Sequence, residues 1–210
     1  MARIHRDLEL EGRLDRAMQV FWAKGYYDTS IETLMTRTGL NRAALYGGFG
    51  SKRKFFEMIL GRYRATYIAR WFAPLEAPNP AFAELEAFFR QFRDLPAPAA
   101  KLGCLMCLTS SEVSPHVPSV ERIVSRYLGD LRTLIRKAWA NARDRGEVRV
   151  ATDPDLVADY SVGAVLGLWA MVRSPMPRDA IAHYLDGVLS YLRSLRPVGG
   201  VDRDRDVRST

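Results

Sequence analysis

Between Thr29 and Phe56 the chain is punctuated so closely that it leaves little freedom of fold. Ser30-Ile31-Glu32-Thr33-Leu34-Met35-Thr36-Arg37-Thr38 has the make-up of a short helix, and Gly39 stops it. Leu40-Asn41 restarts the chain, and Arg42-Ala43-Ala44-Leu45-Tyr46 reads as a second helix. After Gly47-Gly48-Phe49-Gly50 comes Ser51-Lys52-Arg53-Lys54, a serine-capped, cationic start to a third. Two short helices joined by a tight turn, followed by a basic helix start, form a helix-turn-helix, a layout suited to double-stranded DNA.

The rest of the chain predicts an all-α fold of about nine helices. No run alternates with period two over a strand's length, and no Asn-Gly or Asp-Gly hairpin signal occurs. Apolar residues instead recur at helical spacing. Leu14, Ala17, Met18, Phe21 and Trp22 form one stripe, closed by Lys24-Gly25, and Thr29 with Glu32 predicts a capping box for the next helix. A fourth helix carries Phe55, Ile59, Tyr63 and Trp71 until Pro74, where Pro74, Pro78, Asn79 and Pro80 mark a loop. Further helices are expected near 81–95, 101–113, 119–145, 155–172 and 178–195. The chain divides into a DNA-binding domain over 1–52, a helical domain over 53–196, and a tail over 197–210 whose alternating Arg and Asp predict disorder.

Charge follows the same division. The net charge is +7, and from Met1 to Phe72 thirteen Lys and Arg face seven Asp and Glu, so nearly all the excess lies around the helix-turn-helix. Two cysteines are too few for a disulfide framework, and the N-terminus lacks an apolar signal segment. The longest apolar run, Leu156 to Val172, is interrupted by Asp159 and short for a membrane span of about 20 residues. We therefore expect a soluble cytoplasmic protein with no membrane partner.

In a helix-turn-helix the second helix lies in the major groove and its first residues meet base edges. Asn41 would cap that helix. Arg42 would then face a guanine edge and Ala43 a thymine methyl, with Leu45 turned to the core and Tyr46 reaching a phosphate. Ser51, Lys52 and the first amides of the next helix form an anion site. Thr36, Arg37 and Thr38 are placed to hold the opposite strand's backbone, and Thr29 is counted with this DNA-facing set.

These residues resemble the DNA-binding domain of TetR-family transcriptional regulators. The match lies in Ala17-Met18-Gln19-Val20-Phe21, Lys24-Gly25-Tyr26, Thr29-Ser30-Ile31, Thr38-Gly39-Leu40-Asn41, Leu45-Tyr46, Phe49, Ser51-Lys52 and Phe55. The resemblance implies a homodimer that binds a palindromic operator, usually as a repressor, and a C-terminal ligand-binding and dimerisation domain whose inducer separates the two heads. Gly103-Cys104-Leu105, with Glu112 downstream, is similar to a subgroup in which some members sense electrophiles or oxidants through a cysteine. One departure is Gly47-Gly48, where many members carry larger side chains. Two glycines are expected to fray the reading helix after Tyr46.

In the C-terminal domain Phe72, Phe88, Phe92, Met106, Trp139 and Trp169 are candidates to line an apolar ligand cavity, with core packing as the alternative for each. Glu112 or Asp159 could orient a cationic ligand. Cys104 and Cys107, three apart on an expected helix, admit three readings: packing, a redox or electrophile sensor with Lys101 the nearest cation, or a metal site with His116. His5, His116 and His183 are scattered without ligand spacing, and no cofactor or metal is expected. Gly163, Gly167, Ala170, Ala182 and Gly187 give small-residue faces on the last two helices, expected to form a four-helix dimer bundle. An all-helical enzyme or carrier without DNA binding is the distant alternative. It lacks a phosphate loop, a metal motif or a nucleophile paired with a base.

Overall fold

The computed structural model describes residues 2–97 and 99–197, so the tail beyond 197 lies outside the described residues. Among these the fold is all-helical, with nine principal helices. They are α1 Ala2–Lys24, α2 Ile31–Thr38, α3 Arg42–Phe49 and α4 Lys52–Tyr63, then α5 Phe82–Arg90, α6 Leu105–Glu112, α7 Pro118–Asp144, α8 Pro154–Arg173 and α9 Arg178–Ser194. A π-turn, Arg64–Ile68, carries α4 on into a last turn, Ala69–Phe72. A single turn, Ala99–Leu102, precedes α6.

The head is α1 to α3 packed on the first half of α4. The α1 stripe is buried as its spacing predicts. Phe21 meets Phe56 with ring centroids 4.8 Å apart and Phe55 at 6.2 Å, while Phe49 covers Phe55 at 4.6 Å. Each such ring withdraws enough surface from water to contribute about 1.5–3 kcal/mol. Two arginines of α1 reach across to the far end of α2: Arg13 donates to the Gly39 carbonyl at 2.6 Å and Arg16 to that of Thr38 at 3.4 Å. These bonds satisfy carbonyls that the helix end would otherwise leave open.

The body is organised on α7, the longest helix. Val120, Val124, Tyr127, Leu131, Ile135, Ala138, Trp139 and Ala142 recur at three- and four-residue spacing and are all buried. Pro118 and Pro154 start α7 and α8 at the position where a missing N–H costs nothing, and Asp153 accepts from the Asp155 amide at 2.9 Å. Helix α8 is longer than the apolar run suggested. By length and composition alone it is apolar enough to cross a membrane, yet Val157, Ala158, Val165 and Leu168 are buried against the rest of the body. The proline-rich loop after α4 is tied down as well. Asn141 donates to the Pro80 carbonyl at 2.8 Å, and Glu147 accepts from the Phe82 amide at 3.1 Å.

Candidate nucleic-acid interface

Helix α3 is held by its caps and by one anchor. The Asn41 side chain accepts from the Ala44 amide at 2.7 Å, and Leu45 is buried in the head. At the far end Gly50, at φ 78°, donates to the Tyr46 carbonyl at 2.8 Å. This corrects the expectation that the helix frays after Tyr46. Gly47 and Gly48 continue it to Phe49, because Phe49 docks on Phe55 and fixes the last turn. Their helix-weakening cost is offset by tertiary packing. Arg42, Ala43, Tyr46, Gly47 and Gly48 are all exposed, Tyr46 by 43%. Arg42 is not free in the unbound protein, since its guanidinium sits 2.6 Å from the Glu32 carboxylate. DNA would have to displace that pair.

The flanks are built in the same way. Ser51 caps α4, accepting from the Lys54 amide at 3.2 Å. Lys52 lies 4.4 Å from the centroid of the Tyr26 ring, which fixes its ammonium beside the N-terminus of α4. Partial burial lowers the Lys52 pKa, opposed by the nearby charges of Glu112 and Asp28. Thr36 and Arg37 are exposed on α2.

Two residues of the expected set do not face DNA. Thr29 is wholly buried, and its hydroxyl donates to the Gly25 carbonyl at 2.6 Å. The cap of α2 is Ser30, which accepts from the Thr33 amide at 3.0 Å, so the capping box read from Thr29 is replaced by its neighbour. Thr38 is also buried; its hydroxyl donates to the Leu34 carbonyl and accepts from the Leu40 amide. Both threonines are buried and spend their hydroxyls on backbone groups within the head.

The acidic residues also find partners within the chain. Glu112 accepts from the Tyr26 and Tyr27 amides at 3.1 and 2.9 Å, in the turn between α1 and α2. Asp159 pairs with Arg132 at 2.6 Å on the surface. Neither is left to orient a cationic ligand.

A cavity of about 770 Å³ lies between the end of α4 with its π-turn continuation, α5 and α8. Tyr63, Tyr67, Trp71, Gln91 and Trp169 wall it. Of the six expected lining residues only Trp169 does so. Phe88, Met106 and Trp139 are fully buried core residues, Trp139 donating to the Ser161 hydroxyl at 3.3 Å. Phe92 stands behind the wall, 4.9 Å from Trp71 and 4.7 Å from Trp169, and lines a smaller space of about 200 Å³. Phe72 faces a separate cavity of about 520 Å³ beside Arg64 and Asp130. The residues missed, Tyr63, Tyr67 and Trp71, recur every fourth position along α4 and its continuation. The signal was present, but it is the same spacing a core stripe has. The π-turn, a feature that favours functional sites, places Tyr67 and Ile68 in the cavity wall. The indole N–H groups of Trp71 and Trp169 are buried without an acceptor among the described residues.

Cys104 and Cys107 are free thiols in the wall of a third cavity, about 470 Å³, which Trp169 and Arg173 also line. Cys104 is the N-cap of α6 rather than a helix-face residue, and is 2% exposed; Cys107 is half-buried. Burial pushes the Cys104 thiol up. Hydrogen bonds from the Cys107 thiol and amide, the Tyr63 hydroxyl and the Met106 amide outweigh that and bring it down to about 7. The hydrogen bond with Cys104, together with burial, holds Cys107 well above the ordinary thiol range. The main contributions come from these groups and not from Lys101. No group of three or more His, Cys, Asp or Glu is placed to hold a metal among the described residues.

The small residues of α8 and α9 divide. Gly163, Ala170 and Gly187 are exposed, and a Cβ built on Gly163 or Gly187 meets nothing within 4 Å. Gly167 is covered by its own chain: a Cβ there would lie 3.2 Å from the Tyr184 hydroxyl. Ala182 is half-buried beside the 200 Å³ space.

Comparison with known proteins agrees with this geometry. Residues 14–59 match the family model for bacterial regulatory proteins of the tetR family, and residues 81–188 match the tetracyclin repressor-like C-terminal domain. The chain is 28% identical over 181 residues to an uncharacterized HTH-type transcriptional regulator, YezE of Bacillus subtilis, covering 85% of this chain and 93% of that one. It is 29% identical over 156 residues to the transcriptional repressor ComR of Escherichia coli, covering 71% and 72%. Among solved structures, the regulator CifR bound to operator DNA superposes with a TM-score of 0.75 at 23% identity, covering 86% and 94%. The reduced form of Escherichia coli NemR gives 0.74 at 19%, covering 92% and 100%. With both domains matched and the reading helix capped and exposed within the first, the chain belongs to the TetR family of DNA-binding transcriptional regulators.

Proposed function

We propose that the protein is a cytoplasmic, homodimeric repressor that holds a palindromic operator through two copies of its head and releases it when a small apolar ligand enters the C-terminal domain. The observation that carries this reading is the outer face of the head. Arg42, Ala43 and Tyr46 are exposed on a helix capped at both ends, with Thr36 and Arg37 on one flank and Ser51 and Lys52 on the other. Arg42 and Ala43 read base edges, and the rest hold phosphates. ComR and a second relative, DhaR of Mycobacterium, are named repressors, and CifR was solved on a 26 bp operator duplex. Leu156, Tyr160, Gly163 and Gly187 leave an apolar, low-relief face on α8 and α9 that suits a two-fold helix bundle. The 770 Å³ cavity has the size of a small-molecule site, and the rings of Tyr63, Tyr67, Trp71 and Trp169 in its wall favour an apolar ligand.

The test is fluorescence anisotropy with duplexes from the DNA flanking the gene. Salt-sensitive binding of a palindrome by two chains is expected, and Arg42→Ala should cost about 1–3 kcal/mol at one base position only. Absence of binding to any such duplex at moderate salt would sink the reading.

A second reading, release by electrophiles or oxidants through Cys104, has its own support in the two free thiols that wall one cavity. The CifR structures carry engineered cysteine replacements, and NemR was solved in a reduced form. Cys104→Ser should abolish release by such reagents. Unchanged release would leave Cys104 a packing residue.

A further inference from the structure

Helix α6 belongs to the body, yet it is bound to the head at both of its ends. At its C-terminus the Glu112 carboxylate takes the Tyr26 and Tyr27 amides, one on each oxygen. The chain makes room for it. Gly25 adopts φ 81°, and a Cβ there would lie 2.5 Å from a Glu112 oxygen, so this position needs glycine for both conformation and space. The turn that Glu112 grips is the one that launches α2, and Thr29 closes it from inside through the Gly25 carbonyl. The Tyr26 ring within that turn carries Lys52, whose charge also feels Glu112. At the N-terminal end of α6 the Gly103 carbonyl accepts from the Trp22 indole at 3.0 Å. Arg173 of α8 then donates to both the Trp22 and Leu102 carbonyls, at 3.2 and 2.8 Å. An eight-residue helix, about 12 Å long, thus spans from the cysteine cavity to the turn beneath the DNA reader.

We propose that Glu112 is a positioning residue for operator binding, and that α6 is the strut by which the body sets the placement of α2, Tyr26 and Lys52. The inference rests on the DNA-binding face described above. A carboxylate accepting two backbone N–H groups binds them more strongly than a neutral group does. Among the described residues both amides are hydrogen-bonded to Glu112.

The experiment uses the full chain and three proteins: wild type, Glu112→Gln and Glu112→Ala. Operator Kd is measured by anisotropy across a salt series, with amide exchange at residues 25–29 and thermal unfolding alongside. Glu112→Ala should weaken operator binding about tenfold. The salt slope should fall by no more than the roughly one unit per head that loss of Lys52 itself would cause, since Glu112 touches no phosphate but helps place Lys52, and exchange at Tyr26 and Tyr27 should rise. Glu112→Gln keeps one acceptor and should fall between the two; it also serves should the alanine variant fail to fold. Wild-type affinity in a folded Glu112→Ala protein would overturn the proposal, as would a loss of affinity with the 25–29 turn still fully protected. A wild-type chain that ignores operator DNA would refute the DNA-binding face itself, which is a different result from the variants matching a wild type that binds.

Discussion

Gly47 and Gly48 should respond alike in stability but differently in operator affinity to the same small change. Both lie inside α3 in helical conformation, and a Cβ on either meets nothing within 4 Å. Replacement by alanine therefore costs no packing, and should gain the helix propensity that glycine forfeits, roughly 0.8–1 kcal/mol per site. For a chain of this size that is a rise in Tm of about 2–4 °C for each variant. Their places on the helix differ. At about 100° per residue, with Leu45 turned inward, Ala43 and Gly47 lie on the outermost line of α3, while Gly48 lies to one side. A helix whose outermost residues are alanine and glycine can bring its backbone close to the groove floor. An added methyl at Gly47 would hold it off, whereas one at Gly48 would not. Gly47→Ala should thus unfold later and bind operator more weakly, and Gly48→Ala should unfold later and bind as wild type does. Differential scanning calorimetry and anisotropy on the same preparations read both quantities. Equal operator affinity for the two variants would refute the close-approach argument. A lower Tm for either would refute the claim that the helix is unencumbered at these positions.

Three further outcomes are expected. Lys52→Gln should weaken binding to every duplex alike and lower the salt slope by about one unit per head, measured over a salt titration; loss confined to one sequence would make Lys52 a base reader. The rate of Cys104 alkylation by N-ethylmaleimide, followed by mass spectrometry, should rise with pH through a midpoint of about 7, because the folded protein favours its thiolate. A midpoint in the ordinary range near 8.5 would show that the hydrogen bonds around it do not act. Ala87→Phe places a ring in the 770 Å³ cavity from its α5 wall and should abolish release by a cavity ligand while leaving operator affinity within about twofold; retained release would locate the ligand elsewhere.

The reader was legible because its signals are local. Gly39, Asn41, Ser51 and the buried Leu45 each act within one helical turn of their position, and their spacing is the motif. Thr29 and Thr38 were misjudged because a threonine beside a helix end serves equally as a cap, a core filler or a phosphate contact. Only the packing of α1 decides between these. The α3 terminus was misjudged for a related reason: two glycines weaken a helix, but Phe49 docking on Phe55 restores it from outside. In the body the spacing located the helices well and failed to tell wall from core. Trp139 and Trp169 both sit on amphipathic helices, and one is sealed against Ser161 while the other borders open space. The partner of Glu112 lies 85 residues away, beyond any local pattern.

Trp169 stands in the walls of both the large cavity and the thiol-lined one. A guest that shifted this indole from one side would alter the room available on the other, and the two chambers would then not bind independently. Thermodynamics then makes the influence mutual. Whatever factor a guest in the large chamber applies to reversible binding beside Cys107, binding there must return to the first guest unchanged. A single ring would make two chemically different stimuli, one held by shape and one beside sulfur, arguments of one response.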